Sequence, residues 1–214
     1  MKIIAAKKIL KANEQLAEAN RAAFNAAGVL VVNMVGSPGS GKTTLLEALV
    51  AALRGRMRIA VIEGDIAGSI DAERMEAIGV PVVQINTEGA CHLDATMIAA
   101  ASEGLELAAA DCLVIENVGN LVCTAGFDLG EHVRLVLLSV TEGDDKLVKY
   151  PAIFRGSHAL VITKCDLLAH VNFRVERVAA DMRRLAPDAP VFQVSAARNE
   201  GVSTLADWLI QRRP

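Results

Sequence analysis

A chain of 214 residues suits one α/β domain with a single core and requires no second one. Its residues are 52% hydrophobic but only 3% aromatic, so Ala, Val, Leu and Ile must build that core, as in parallel sheets covered by helices. A net charge of −3 gives no electrostatic ground for nucleic acid or an anionic membrane as partner, and no run reads as a signal peptide or a membrane span; a cytoplasmic protein is expected.

The four cysteines, Cys91, Cys112, Cys123 and Cys165, form no C-x-x-C pair, which argues against a disulfide framework or a zinc ribbon and for reduced thiols. From about Ala5 to Ala27 the chain is rich in Ala, Glu, Lys and Leu, with Gly28 as a stop. Residues 1–28 are therefore expected to form a helical arm packed on the domain of residues 29–214; a docking or dimerising arm is the other reading. Apolar, β-rich runs follow at Val29–Val35, Arg58–Glu63, Val80–Ile85, Cys112–Glu116, Val133–Val140, Ala159–Thr163 and Val191–Val194. Helices are expected between them at about Lys42–Leu53, Ser69–Ile78, Cys91–Leu107, Asp145–Phe154, Val171–Leu185 and Val202–Gln211. Strand and helix alternate, so the fold class is α/β: a mostly parallel central sheet flanked by helices on both faces, with ligands at the C-terminal edge of the strands.

Gly36-Ser37-Pro38-Gly39-Ser40-Gly41-Lys42-Thr43 follows the first strand and opens a helix, which is the context of a P-loop. Its glycines let backbone N–H groups approach phosphates, the helix N-terminus adds positive potential, and Lys42 reaches the β and γ oxygens. Thr43, followed by Thr44, offers a hydroxyl to Mg²⁺. The strand ending in Glu116, followed by Asn117-Val118-Gly119, reads as E-x-x-G, an acid near the cation and a glycine whose N–H senses the γ-phosphate. Asp65, in Glu63-Gly64-Asp65, is a second candidate for Mg²⁺ or the attacking water, and equally a turn residue before the next helix. Lys42, Asp65, Glu116 and Gly119 make the candidate catalytic set.

Thr163-Lys164-Cys165-Asp166 resembles the N-K-x-D element that selects guanine. Asp166 would accept from the guanine N1–H and 2-amino group, and the Lys164 stem would lie over the base. Thr163 replaces the usual Asn. Ser195-Ala196-Ala197 resembles the S-A-x loop that closes over the base. These elements in order separate a GTPase from the alternative, a P-loop small-molecule kinase, which more often carries an Arg-rich lid.

Cys91-His92 places two strong ligands for Ni²⁺, Zn²⁺ or Cu side by side at the expected start of a helix. Adjacent helical residues point roughly 100° apart, so a site shared between subunits is the natural completion. Cys123, seven residues beyond Glu116 in the loop expected to answer the γ-phosphate, is the third candidate. Against this, a free Cys is ordinarily a small buried hydrophobe. Cys112, Cys165, His132, His158 and His170 read as structural or exposed. Lys146 and Lys149 read as a solvated helix face or as a reach toward nucleotide on a second subunit.

Cys91-His92-Leu93-Asp94-Ala95 and Glu116-Asn117-Val118-Gly119-Asn120-Leu121-Val122-Cys123, with Glu63-Gly64-Asp65, Asp71-Ala72-Glu73-Arg74 and Ser139-Val140-Thr141-Glu142-Gly143-Asp144-Asp145-Lys146, resemble the HypB family over about Lys11 to Trp208. Those GTPases assist nickel insertion into [NiFe] hydrogenase and are related to the urease accessory GTPase, whose Cys-Pro-His motif is missing here. The resemblance implies a slow GTP hydrolase, GTP or GDP with Mg²⁺ in the pocket, and a nucleotide-dependent homodimer. It further implies a nickel or zinc site at the dimer interface formed by Cys91, His92 and Cys123, with other hydrogenase maturation proteins and the hydrogenase large subunit as partners. A maturation scaffold without metal transfer is a further alternative. The chain departs from many relatives in having no Cys or His near its N-terminus, which argues against nickel storage, in Thr96 where some have a His, and in Thr124 where Pro commonly stands, a change expected to loosen that loop.

Overall fold

The computed structural model describes residues 6–66 and 68–214; residues 1–5 of the expected arm lie outside them. The elements run α1 (Ala6–Ala27), β1 (Leu30–Gly36), α2 (Lys42–Leu53), β2 (Ile59–Asp65), α3 (Ile70–Ala77), β3 (Val82–Asn86), α4 (Ala95–Ser102) and β4 (Cys112–Glu116). Then come β5 (Val133–Ser139), α5 (Lys146–Lys149), α6 (Pro151–Arg155), β6 (Ala159–Thr163), α7 (Val175–Leu185), β7 (Val191–Gln193) and α8 (Val202–Ile210). The strands form one sheet in the order β3-β2-β4-β1-β5-β6-β7, paired in parallel throughout.

The Val, Ile and Leu runs predict this because a strand covered on both faces needs no polar alternation. Along β1, Leu30, Val32 and Met34 pack with Leu45 and Leu49 of α2 and Leu205 and Leu209 of α8. Val31 points the other way, into a cluster with Phe24 of α1 and Ile98 of α4, and Val35 packs toward Ile153, Phe154 and Val178. The central strand is thus sandwiched, and the order reverses around β1. The crevice outside β1, β4, β5 and β6 is therefore where ligands are expected in an open sheet.

Three expected helices differ, and the one anticipated over Val171–Leu185 begins only at Val175, because Arg174 before it is extended (φ −106°, ψ 100°). The one anticipated over Cys91–Leu107 begins only at Ala95, because Asp94 is extended (φ −120°, ψ 170°) and its side chain accepts from the Met97 N–H at 2.9 Å. That N-cap leaves Cys91 and His92 in a loop, so the helical spacing argument for them does not hold. The one anticipated over Asp145–Phe154 is broken into α5 and α6, since Pro151 carries no N–H and keeps Tyr150 out of helical geometry (φ −128°, ψ 53°).

Candidate functional site

The loop between β1 and α2 is built from glycines that only glycine satisfies. Gly39 (φ 72°) and Gly41 (φ 90°) are left-handed, and a Cβ on Gly36 would lie 2.5 Å from Ser40 Oγ and 3.1 Å from the Leu137 carbonyl. Lys42 and Thr43 open α2 from buried positions. A cleft of about 500 Å³ lies over this loop, walled by Glu63 to Ile66, Asp71 and Arg74 on one side and Glu116 to Gly119 on the other. Gly119 presses on the loop so closely that a Cβ would meet Pro38 N and Cγ at 2.9 Å. Gly119, expected to sense the γ-phosphate, thus lies against Pro38 of the phosphate loop itself.

Parallel pairing of β2 with β4 sets Glu63 opposite Glu116. Both are buried, and with Asp71 of α3 their carboxylate oxygens lie within 4.8 Å of one another. Thr43 Oγ1 donates to Glu116 Oε1 at 2.8 Å, while Glu63 Oε2 and Glu116 Oε2 have no partner. Burial raises both acids, Glu116 to about 7, and the Glu116 charge pushes Glu63 further. Orphaned buried oxygens and carboxyls held above their ordinary range fit a hard divalent cation, which Thr43, Glu63, Asp71 and Glu116 would hold at the mouth of the P-loop. The expected Mg²⁺ set named Thr43, Asp65 and Glu116; here Glu63 and Asp71 stand with Thr43 and Glu116. Asp65 lines the same cleft, and its Oδ1 accepts from Ile66 N–H and its Oδ2 from Gly68 N–H, as its reading as a turn residue expects. The sequence expectation did not include Glu63 and Asp71 in this cluster; a Glu closing the apolar run Ile59-Ala60-Val61-Ile62 was the available signal.

Beside the cleft a smaller, mostly apolar cavity of about 210 Å³ is walled by Gly41, Thr44, Lys164, Asp166, Ala196 and Ala197 among others. Of the expected base-site residues, Thr163, Lys164, Asp166, Ala196 and Ala197 line it, and Ser195 stands behind Asp166. Thr163 Oγ1 donates to the Ser40 carbonyl at 2.6 Å, clamping the end of β6 to the P-loop. Lys164, left-handed at φ 58°, sends Nζ to the Gly39 carbonyl at 2.7 Å, which lays its stem between the two cavities. The buried Ser195 hydroxyl donates to Asp166 Oδ1 at 2.6 Å and holds that carboxyl below its ordinary range, so it stays an ionised acceptor.

Cys91, His92 and Cys123 also meet. Their ligand atoms all lie within 4.8 Å of one another, with Cys91 Sγ 2.6 Å from Cys123 Sγ and 3.8 Å from His92 Nδ1. All three are half-buried, and His92 is stacked on Phe127 with ring centroids 3.8 Å apart. One chain therefore gathers three soft-to-borderline donors, which removes the premise that helical spacing forbids it. Thr124 does not loosen the loop: its buried hydroxyl donates to the Asn120 carbonyl, and Asn120 Oδ1 accepts from the Val122 and Cys123 N–H groups. The remaining candidates are structural. Cys112 is fully buried with its thiol raised to about 12, Cys165 donates to the Ile162 carbonyl, and His132 and His158 accept backbone N–H bonds at Nδ1. Lys149 pairs with Asp145, and Lys146 lies 5.6 Å from the Tyr150 ring centroid.

Residues 30–193 match the family model described as CobW/HypB/UreG, nucleotide-binding domain. The chain is 48% identical over 205 residues to the hydrogenase maturation factor HypB of Azotobacter chroococcum mcd 1, covering 96% of this chain and 67% of that protein. To the same factor of Escherichia coli (strain K12) it is 47% identical, covering 96% and 71%. The chain belongs to the HypB family. Two solved HypB structures share its architecture. One, from Helicobacter pylori in complex with nickel, superposes with a TM-score of 0.90 at 41% identity, covering 94% of each chain. The other, from Archaeoglobus fulgidus, gives 0.88 at 38%, covering 95% of this chain and all of that one. The sheet, the P-loop and the extra N-terminal helix are thus those of HypB P-loop GTPases.

Proposed function

We propose that this chain is a GTP-binding, slowly GTP-hydrolysing metallochaperone that holds nickel or zinc at Cys91, His92 and Cys123 and assists nickel insertion into [NiFe] hydrogenase. The observation that carries the reading is continuity: Cys123 closes a loop that begins at the phosphate-facing Glu116, and it meets Cys91 and His92 there. The role of the relatives as hydrogenase maturation factors and the nickel in the Helicobacter pylori complex support the same assignment.

In this reading residues 29–214 form the GTPase domain and the arm of residues 1–28 packs on it. Backbone N–H groups of the P-loop and Lys42 bind the phosphates, while Asp166 accepts the guanine donors. When bound, Mg²⁺ neutralises charge on the β- and γ-phosphates. Thr43, Glu63, Asp71 and Glu116 would hold it, and Asp65 shapes the turn beside it. No side chain stands out as a general base, so positioning of water near Gly119 and charge stabilisation carry a slow reaction. Two copies complete the soft-metal site. Three half-exposed donors leave room for ligands from a partner, and Ile66, Ile70, Val122 and Val148, all exposed, follow β2, β4 and β5 on the same edge of the sheet. The homodimer acts in the cytoplasm, with other maturation proteins and the hydrogenase large subunit as its partners.

The test is titration of the purified chain with Ni²⁺ and Zn²⁺ in apo, GDP and non-hydrolysable GTP states, with mass and metal content followed together. Affinity is expected to change with nucleotide and to fall at least about tenfold in Cys91→Ala and in Cys123→Ala. Binding that ignores nucleotide, or survives both substitutions, overturns the proposal.

A further inference from the structure

Asn117 is buried directly after Glu116 and makes bonds on three sides. Its Oδ1 accepts from Val118 N–H at 2.9 Å, inside the phosphate-facing turn, and from Leu93 N–H at 3.3 Å, in the metal loop one residue after His92. Its Nδ2 donates to Oδ1 of the fully buried Asn33 in β1 at 3.2 Å. Asn33 in turn donates to Glu131 Oε1, which also takes Arg134 Nε at 2.7 Å, and Arg134 Nη2 donates to the Phe127 carbonyl at 2.9 Å. Phe127 is the ring on which His92 stacks. A chain of mostly buried polar groups, closed by the His92–Phe127 stacking and the backbone from His92 to Leu93, thus joins the turn that faces phosphate, the central strand and both sides of the metal loop.

Such a circuit is an unfavourable way to fill a core, because apolar residues of equal volume would do so without desolvating amides and a charge pair. Its geometry supplies a reason to keep it. Val118 N–H and Leu93 N–H share one acceptor oxygen, so a shift of the turn changes what Leu93 is offered. Leu93 cannot follow freely, since its buried side chain packs on Gly64 so tightly that a Cβ there would lie 2.7 Å from a Leu93 methyl. The metal loop is therefore braced against both segments that wall the nucleotide cleft.

We propose that Asn117 is the positioning residue that couples nucleotide state to the metal loop, by offering its Oδ1 to Leu93 N–H in one state of the turn and withdrawing it in the other. The inference rests on the metallochaperone reading and adds the residue through which the two sites communicate.

The experiment compares Ni²⁺ affinity at saturating GDP and at a saturating non-hydrolysable GTP analogue, so that changed nucleotide affinity does not enter. The wild-type chain is expected to show a difference of about fivefold or more between the two states, the lower end of ordinary coupling between sites. Asn117→Leu, which keeps the volume and removes the oxygen, should bring the two affinities within about twofold. A second reading needs no variant: the Leu93 amide of the wild-type chain should exchange its hydrogen at different rates in the two states. If the wild-type affinity ignores nucleotide, the metallochaperone switch fails and the coupling with it. If the wild type responds and Asn117→Leu responds equally, or if Leu93 exchanges identically in both states, the role of Asn117 alone is overturned.

Discussion

Glu63 and Glu116 face each other because β2 pairs with β4, and burial then works against ionising both. An acid whose pKa is raised by folding contributes stability while protonated in both states and loses it as pH rises from the ordinary value of about 4.3 through the folded one. Without divalent cation the pair's contribution should therefore fall as pH climbs from about 5 to 8, opposed below about 6.5 by His132 and His158, and Glu63→Gln should flatten the decline in stability above neutrality. Calorimetry across this range checks it; a Glu63→Gln profile parallel to wild type would remove the pair as the cause. Thr163 offers a second test at this scale. Thr163→Val leaves the Ser40 carbonyl without its donor, for a loss of about 1–3 kcal/mol in stability and weaker GTP binding in a direct titration. An unchanged titration and melting curve would show that the clamp is idle. At the level of single residues, the P-loop, Asp166, Ser195 and the three soft donors were legible because each sits in a local pattern. Glu63 and Asp71 were not, since their meeting depends on which strand pairs with which.

At the scale of elements, α1 is a brace. Asn13 Oδ1 accepts from Ala95 N–H and its Nδ2 donates to the Asp128 carbonyl, while Asn20 Nδ2 donates to the Ala95 and Leu129 carbonyls. Arg21 closes the set with both oxygens of Asp128. The helix thereby holds the start of α4, just past Cys91 and His92, to the segment just past Phe127. Asn20→Leu keeps the volume and strands two buried carbonyls, so a loss of about 1–3 kcal/mol in thermal unfolding is expected. Metal affinity should fall more than GTP affinity, because the braced loops carry His92 and its stacking partner; equal losses of both would mean that α1 only supports the fold. The sequence exposed this helix by composition, yet its polar side chains gave no hint of their partners about a hundred residues away. Likewise the late start of α4 turned on one capping aspartate, and the split between α5 and α6 on one proline.

Across the whole sheet, titrating groups stand at opposite edges and act in opposite directions. The glutamates lie at the C-terminal ends of β2 and β4. At the N-terminal ends, His132 Nδ1 accepts from Val31 N–H and His158 Nδ1 from Arg134 N–H, each at 2.9 Å, which requires neutral rings. Burial lowers both histidines below the ordinary value. For a histidine depressed by folding, the stabilisation is complete above the unfolded pKa of about 6.5 and is lost as pH falls through it. Stability should therefore drop on both sides of a maximum near neutrality, by two separable causes. His158→Asn, which keeps an acceptor that does not titrate, should soften only the acid limb. Adding Mg²⁺ should lift only the alkaline limb, because a cation replaces the proton between Glu63 and Glu116 and touches nothing at the far edge. Urea unfolding at pH 5, 7 and 8.5, with Mg²⁺ and with EDTA, separates the two. An acid limb that responds to Mg²⁺, or an alkaline limb that does not, would break the assignment of the two effects to the two edges.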